Sequence, residues 1–359
     1  MILPRDDVSH SPIAEHGGRL AFGDNVGGVA DGLDFSVCLN AFGPAPAVVD
    51  AIKAARVDEY PDPRSVRARR VVAEQWRVPI DSIVVGAGSA ELIQAVCFAY
   101  IRPGDAVIVV EPAFGEYRRA AALCGARVVG IGLAADGDVA QMIKAIRQRR
   151  PRLLFVATPV NPTGVTIDRE SLQSLAAACA SVDSLLVIDQ AYDAFSAQPI
   201  GTPALRGSAN VLHLRSLTKE HALAGVRVAV GIGPAQIVEG VERVRVPWAT
   251  STAAQAALIA TFDAGAQAHA RTTIAELRAE SVRIATAMRQ RNISVSCSTT
   301  HYMLIGCPSA PQLRDHLAAA HGILVRDSTS FGLPGHVRIA ARLPRQNDQL
   351  IHALRHALS

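Results

Sequence analysis

The sequence predicts an α/β protein in which a large domain with a mostly parallel sheet is followed by a smaller α+β domain. Three observations lead there. Between about Ser82 and Gly233, short runs that are apolar throughout alternate with helical patterns, as parallel strands covered on both faces require. After Pro247 that alternation stops and a long helical stretch takes over. The chain has 359 residues, 49% of them hydrophobic, enough for a large core and for about two domains.

Taken in order, the first forty residues are Gly-rich and irregular and read as an arm or part of the small domain. Residues 41–250 read as the large domain and 251–359 as the small one. Strands are expected at Ile83–Val85, Val107–Val110, Arg127–Ile131, Leu153–Ala157, Leu185–Ile188, Val211–Leu214 and Val228–Ile232. Helical patterns fall between them at Ala90–Ile101, Phe114–Leu123, Val139–Arg149 and Asp168–Ala180. The small domain should then hold a helix over about Gln267–Arg291 and strands at Ile293–Cys297 and Tyr302–Ile305. A helix over Ala310–Ala320, strand-like Ile323–Arg326 and Val337–Ala341, and a last helix to Leu358 complete it.

Composition excludes several function classes. Aromatic residues (4%) and charged residues (19%) describe an ordinary soluble globular chain rather than a disordered one. The net charge is +4, and the basic excess is nearly all arginine, since only Lys53, Lys144 and Lys219 are lysine. Arg147, Arg149, Arg150 and Arg152 cluster between a helix and a strand without interleaved aromatics, which reads as a solvated helix end and not a nucleic-acid surface. Cysteines 38, 97, 124, 179, 297 and 307 form no CxxC pair, so buried free thiols are expected and no metal site. Met1–His16 lacks an apolar signal region, and no segment approaches the roughly 18 apolar residues of a membrane span. A cytoplasmic protein without membrane contact is the expectation.

Chemistry concentrates at strand ends. Lys53 and Lys144 sit on amphipathic helices, where lysine faces water, whereas Lys219 follows the apolar run Val211–Leu214 at a strand-to-loop switch. A nucleophilic lysine needs partial desolvation or cationic neighbours, and Arg227 lies eight residues on. Asp189 ends a fully apolar strand, where a carboxylate needs a cationic partner; capping the following turn is its plain structural account. Gly86-Ala87-Gly88-Ser89-Ala90-Glu91 follows a strand and opens a helix, which makes an anion site from amides and the Ser89 hydroxyl. Glu91 occupies the third glycine position of a dinucleotide fingerprint, so a lone phosphate is the more economical ligand. Asn161-Pro162-Thr163-Gly164 also suits a simple turn.

The order of these features, each after a strand of one sheet, resembles the class I/II aminotransferase family of pyridoxal-phosphate (PLP) enzymes, fold type I. The resemblance runs from about His16 to Leu358 and is nearest the branch of histidinol-phosphate aminotransferases and threonine-phosphate decarboxylases. It implies that Lys219 carries pyridoxal 5′-phosphate as a Schiff base, with Ser216, Thr218, Arg227, Ser89 and Ala90 on the phosphate. Phe114 matches the ring-stacking position, Asn161 and Tyr192 the phenolic-oxygen contacts, and Asp189 the partner of the ring nitrogen, which keeps the ring an electron sink. Tyr60 resembles the tyrosine that reaches the phosphate of a neighbouring subunit, implying a homodimer with shared sites. Arg338 fits the arginine that grips the substrate carboxylate bidentately. Arg326 matches a residue for a second anion, with a strand-end charge as the alternative.

Asn40 matches a position near the substrate carboxylate. His16-Gly17-Gly18, Asp34-Phe35-Ser36, Tyr60-Pro61-Asp62-Pro63 and Phe114-Gly115-Glu116-Tyr117-Arg118-Arg119 lean towards the decarboxylase side. The sequence departs from the family at Gln190, where an acid is common, and at Val160, Ala41 and Arg19. The implied reaction is transamination between an amino acid, phosphorylated or not, and a keto acid, with Lys219 as general base. Decarboxylation on the same cofactor is the nearest rival, and a non-catalytic protein that keeps the fold is the distant one.

Overall fold

The structure is a computed structural model that describes residues 6–9, 16–18, 32–134, 137–296 and 298–358. Among the described residues the strands are β1 (Leu33–Asp34), β2 (Ile83–Gly86), β3 (Ala106–Glu111), β4 (Arg127–Gly132), β5 (Leu153–Ala157), β6 (Leu185–Asp189), β7 (Val211–Arg215) and β8 (Ala229–Ile232). Four more follow: β9 (Tyr302–Gly306), β10 (Ile323–Leu324), β11 (Arg326–Asp327) and β12 (His336–Ala340). The central sheet has the order β2-β8-β7-β6-β5-β3-β4. All its pairings are parallel except those of β8, which runs against both β2 and β7.

The strands are apolar throughout because both faces are covered. In β3, Val107 and Val109 face one cluster with Leu92, Val96, Ile237 and Val241, while Ile108 and Val110 face another with Met142, Ile146, Leu172 and Leu175. Burial of each such side chain contributes about 1.5–3 kcal/mol. A further cluster packs helices Pro46–Lys53, Val66–Trp76 and Thr252–Ala260 around Ile83, Val85 and Val230. The hydrophobic core of the sheet layer therefore continues past residue 250 into Ala254, Ala257 and Leu258.

The remaining layer is built on the three-stranded antiparallel sheet β11-β12-β9, covered by helices Ala264–Arg289, Ala310–His321 and Pro344–Ala357. β1 pairs in parallel with β10, and Phe35 is buried in the same cluster. Residues 33–35 are thus part of this layer.

Two expected strands differ. Over 293–296 only Val295 forms a bridge, to Ile305, because the Ser296 hydroxyl takes the Leu304 amide that a ladder would use. Cys297 lies outside the described residues. The expected strand Ile323–Arg326 divides at Val325, where the chain leaves β1 and joins β12. Lys53 and Lys144 are exposed on helices, as are Arg147, Arg149 and Arg150 at a helix end. Cys38, Cys97 and Cys179 are buried, whereas Cys124 and Cys307 are only partly so, a correction for those two thiols at element ends. Among the described residues no helix is long and apolar enough to cross a membrane.

Candidate active site

One edge of the central sheet gathers the site. The C-terminal ends of β2, β3, β5, β6 and β7 point to the same side, and the reversed β8 begins there. Loops at the carboxyl ends of such strands are where open α/β sheets bind ligands. A cavity of about 520 Å³ opens at that edge, lined by Lys219, Asp189, Asn161, Phe114, Arg227 and Arg338 among others. Ser89, Ala90, Tyr192, Ser216, Thr218, Arg326, His16 and Gly17 also line it. Fourteen of the seventeen residues singled out in the sequence thus meet in one place.

The other three do not line it. Asn40 is buried beside it: its Nδ2 donates to Glu220 O (3.0 Å) and Thr273 Oγ1 (2.7 Å), and its backbone N–H donates to Lys219 O at 3.0 Å. Asn40 thus holds the lysine segment in place. Gly18 donates its N–H to the Ser36 hydroxyl at 2.9 Å. Tyr60 is 81% exposed and lies against Trp248, ring centroids 4.7 Å apart, away from the cavity of its own chain.

Lys219 lies in the single helical turn Leu217–Glu220 that follows β7. Burial pulls its ammonium below the ordinary lysine range, with Arg338 and Arg227 pushing the same way and Cys38 and Asp189 opposing. The folded chain therefore sheds this proton at lower pH than the unfolded chain does. Stability must rise with pH between the lowered value and about 10.4, and the cost is fully present below it. Lys219→Met is expected to raise the melting temperature of the cofactor-free protein at pH 7. That gain should shrink as pH climbs towards 10, and equal melting at pH 7 would contradict it.

Asp189 is buried at the end of β6, and burial raises its pKa. Its Oδ2 accepts from the Tyr117 hydroxyl at 2.6 Å and its Oδ1 from the Ala191 amide at 2.9 Å. Tyr117 stacks on Phe155 at 5.1 Å and 4°, which fixes the hydroxyl. Tyr117 belongs to the segment Phe114–Arg119 that carries the resemblance, but its hold on Asp189 was not read, although it stands three residues after Phe114, a spacing that brings side chains to one side of the chain as it enters a helix.

At the other end of the cavity, helix Ser89–Tyr100 presents its first-turn amides. The Ser89 hydroxyl is buried without a partner among the described residues. Arg227 has a left-handed backbone, φ 60°, and its guanidinium lies across Gly88, where a Cβ would sit 2.5 Å from it. The orphaned hydroxyl, the amides and the guanidinium over a glycine fit a phosphate. The Thr218 hydroxyl donates to Val228 O at 3.2 Å, a bond it gives up when its hydrogen turns to a phosphate in the cavity. Ser216 is buried beside it.

The substrate-side wall comes from the other layer. Arg338 donates to Asn161 Oδ1 at 2.6 Å and to Ser36 O, and its Nε has no partner among the described residues. Arg326 stands directly opposite Arg338 in the β11–β12 register, 2.8 Å from the Ser330 hydroxyl and over the Phe331 ring. Like charges facing each other across strands are unfavourable without an anion between them. His16 meets Glu116 at 3.2 Å, and Glu116 meets Arg119 at 3.1 Å. Tyr192 is buried and interacts with the Cys38 thiol. Ser36 and Glu116, from two of the segments that carry the resemblance, also line the cavity, as does Cys38, which was not foreseen because a thiol in an apolar run carries no sequence signal.

Residues 30–354 match the family described as aminotransferase class I and II. A histidinol-phosphate aminotransferase of Symbiobacterium thermophilum is 33% identical over 89% of this chain and 88% of its own length. An aromatic amino acid aminotransferase of Corynebacterium efficiens is 32% identical over 92% and 94%. The crystal structure of a histidinol-phosphate aminotransferase from Sinorhizobium meliloti in complex with pyridoxal-5′-phosphate shares the fold. Its TM-score is 0.83 at 23% identity, covering 91% of this chain and 90% of that one. With the sheet, the strand-end lysine and these matches together, the chain belongs to the class I and II aminotransferase family.

Proposed function

We propose that this aminotransferase binds pyridoxal 5′-phosphate in the 520 Å³ cavity, held covalently by Lys219, and moves an amino group from an L-amino acid to a keto acid. The observation that carries the reading is that Lys219, Asp189 and two separate arginine sites converge on one cavity. The cofactor, when bound, supplies an electron sink for charge that develops at the substrate Cα. Ser89, the Ala90 amide, Ser216, Thr218 and Arg227 hold its phosphate. Asp189, fixed by Tyr117, meets the ring nitrogen, and a cation there offsets what burial of the carboxylate costs. Phe114 covers the ring. Asn161, whose carbonyl oxygen is taken by Arg338, turns its NH₂ to the phenolic oxygen together with Tyr192. Arg338 binds the substrate carboxylate, and Arg326 opposite it receives a second anionic group. Lys219 Nζ, kept deprotonable by burial, would serve as the base that takes the proton from the substrate Cα.

A single-turnover panel tests this. PLP-loaded protein is mixed with aromatic amino acids, glutamate or a phosphorylated amino acid, and products are read by mass. One carbonyl product per site, carbon skeleton intact, is expected for at least one of them. An amine one carbon shorter would replace transamination by decarboxylation.

Tyr60 has a place in this reading only if a second copy of the chain brings its cavity to it. Tyr60 and Trp248 form an exposed aromatic pair with exposed Val57 and Val246 near them in sequence, which suits a subunit interface. Sedimentation at micromolar concentration should give twice the 37.9 kDa chain mass, and a monomer would remove Tyr60 from the site.

A further inference from the structure

The helical turn that carries Lys219 is four residues long, too short to hold its own geometry. Its ends are fastened from outside the cavity. Arg215, the last residue of β7, donates through NH2 to Glu220 Oε2 at 2.7 Å, so one buried ion pair closes over residues 216–219. The NH1 of Arg215 donates to Gln190 O at 3.0 Å, which ties the pair to the strand end that bears Asp189. From the other side, Asn40 holds Lys219 O and Glu220 O, each at 3.0 Å.

None of Arg215, Glu220 and Asn40 lines the cavity, and all three are buried. Asp193 adds a second carboxylate 3.6 Å from Arg215, but it is anchored elsewhere, by the Ile200 and Gly201 amides at 2.9 and 3.1 Å. The neutral Gln190 side chain is spent on His213, 2.9 Å from its Oε1. The carboxylates that answer Arg215 thus come from positions 193 and 220, not from 190, where the family commonly has an acid. Buried ion pairs are poor sources of net stability, since apolar replacements often do as well. Stability alone does not account for a pair placed across this turn.

We propose that the Arg215–Glu220 pair, backed by Asn40, is a positioning clamp that sets where the Lys219 amine stands over the sheet edge. Arg215 and Glu220 are positioning residues and touch neither cofactor nor substrate. The inference rests on the reading of Lys219 as the cofactor lysine.

The test uses the full-length, cofactor-free chain. Capture of added pyridoxal phosphate is timed by borohydride fixation and peptide mass at residue 219, and melting temperature is recorded in parallel. A second readout, without cofactor, is the rate at which an amine-reactive reagent acylates Lys219. Glu220→Ala should slow capture about tenfold or more and change the acylation rate, as misplacement of a reacting group does. Glu220→Gln, which keeps an acceptor for Arg215, should recover most of the loss. Asp193→Asn should lower the melting temperature and leave capture unchanged.

If Glu220→Ala destabilises like Asp193→Asn but captures and acylates at the wild-type rate, the pair is merely structural and the clamp is wrong. Should Glu220→Ala not fold, Arg215→Lys decides. It keeps the charge but cannot span Glu220 and Gln190 O together, so slower capture supports the clamp and wild-type capture overturns it. A wild-type chain that fixes no pyridoxal phosphate at residue 219 is a different result, and it overturns the cofactor reading itself.

Discussion

Lys219→Ala should lower amino-group transfer by at least about 10,000-fold while leaving the protein folded. Two losses compound. The side chain that fixes the cofactor is gone, and so is the base that moves the Cα proton; general acid–base catalysis by one positioned group is worth about 10²–10⁴ alone. The protein keeps its fold because Lys219 contributes a cost, not a contact: burial and two nearby arginines disfavour its charged form. No borohydride-stable adduct with pyridoxal phosphate should form in the variant. Lys53 and Lys144, the other two lysines, are exposed on distant helices and cannot substitute. An adduct that persists in Lys219→Ala would place the cofactor elsewhere, and residual turnover within a hundredfold of wild type would remove the lysine from proton transfer.

Arg338→Ala should act on a different constant. Truncating one partner of a buried, hydrogen-bonded charge pair costs about 2–5 kcal/mol, so the substrate KM should rise on the order of a hundredfold. Pyridoxal-phosphate retention should change far less, because the phosphate-type end of the cavity is built from β2, β7 and the turn before β8. Arg338→Lys should recover little, since an ammonium cannot make the two parallel bonds to a carboxylate that a guanidinium makes. Steady-state kinetics with the best substrate of the panel, beside a cofactor titration, separates the two effects. A KM within about threefold of wild type would mean that Arg338 merely holds Asn161 and Ser36.

The sheet was readable because its strands are short apolar runs, and the site because polar residues follow some of them, Asp189 at the end of β6 and Lys219 in the turn after β7. The order of those residues carried the site. Helix Thr252–Ala260 was not readable from periodicity, and it packs on Pro46–Lys53, about two hundred positions away in sequence. The same holds within the site. Tyr117 finds Asp189 from 72 positions away, and Asn40 finds Glu220 from 180. Asn40 shows the limit of analogy as well: its place near the site was legible, but its amide is committed to Glu220 and Thr273, and only coordinates reveal that commitment.

The reversal of β8 has a consequence for how this scaffold can change over time. Because that strand runs against its neighbours, the chain that leaves the sheet edge at Ser216 is back there at Arg227, and the residues proposed for the phosphate fall in one short stretch plus the Gly88 turn. The residues proposed for the substrate lie on β12 and β11, beside the segment around Ser36, and these elements share a separate hydrophobic cluster. Substitutions on β11 and β12 can therefore alter the surroundings of Arg338 and Arg326 without touching the stretch 216–227, the two layers meeting at the hydrogen bond from Arg338 to Asn161.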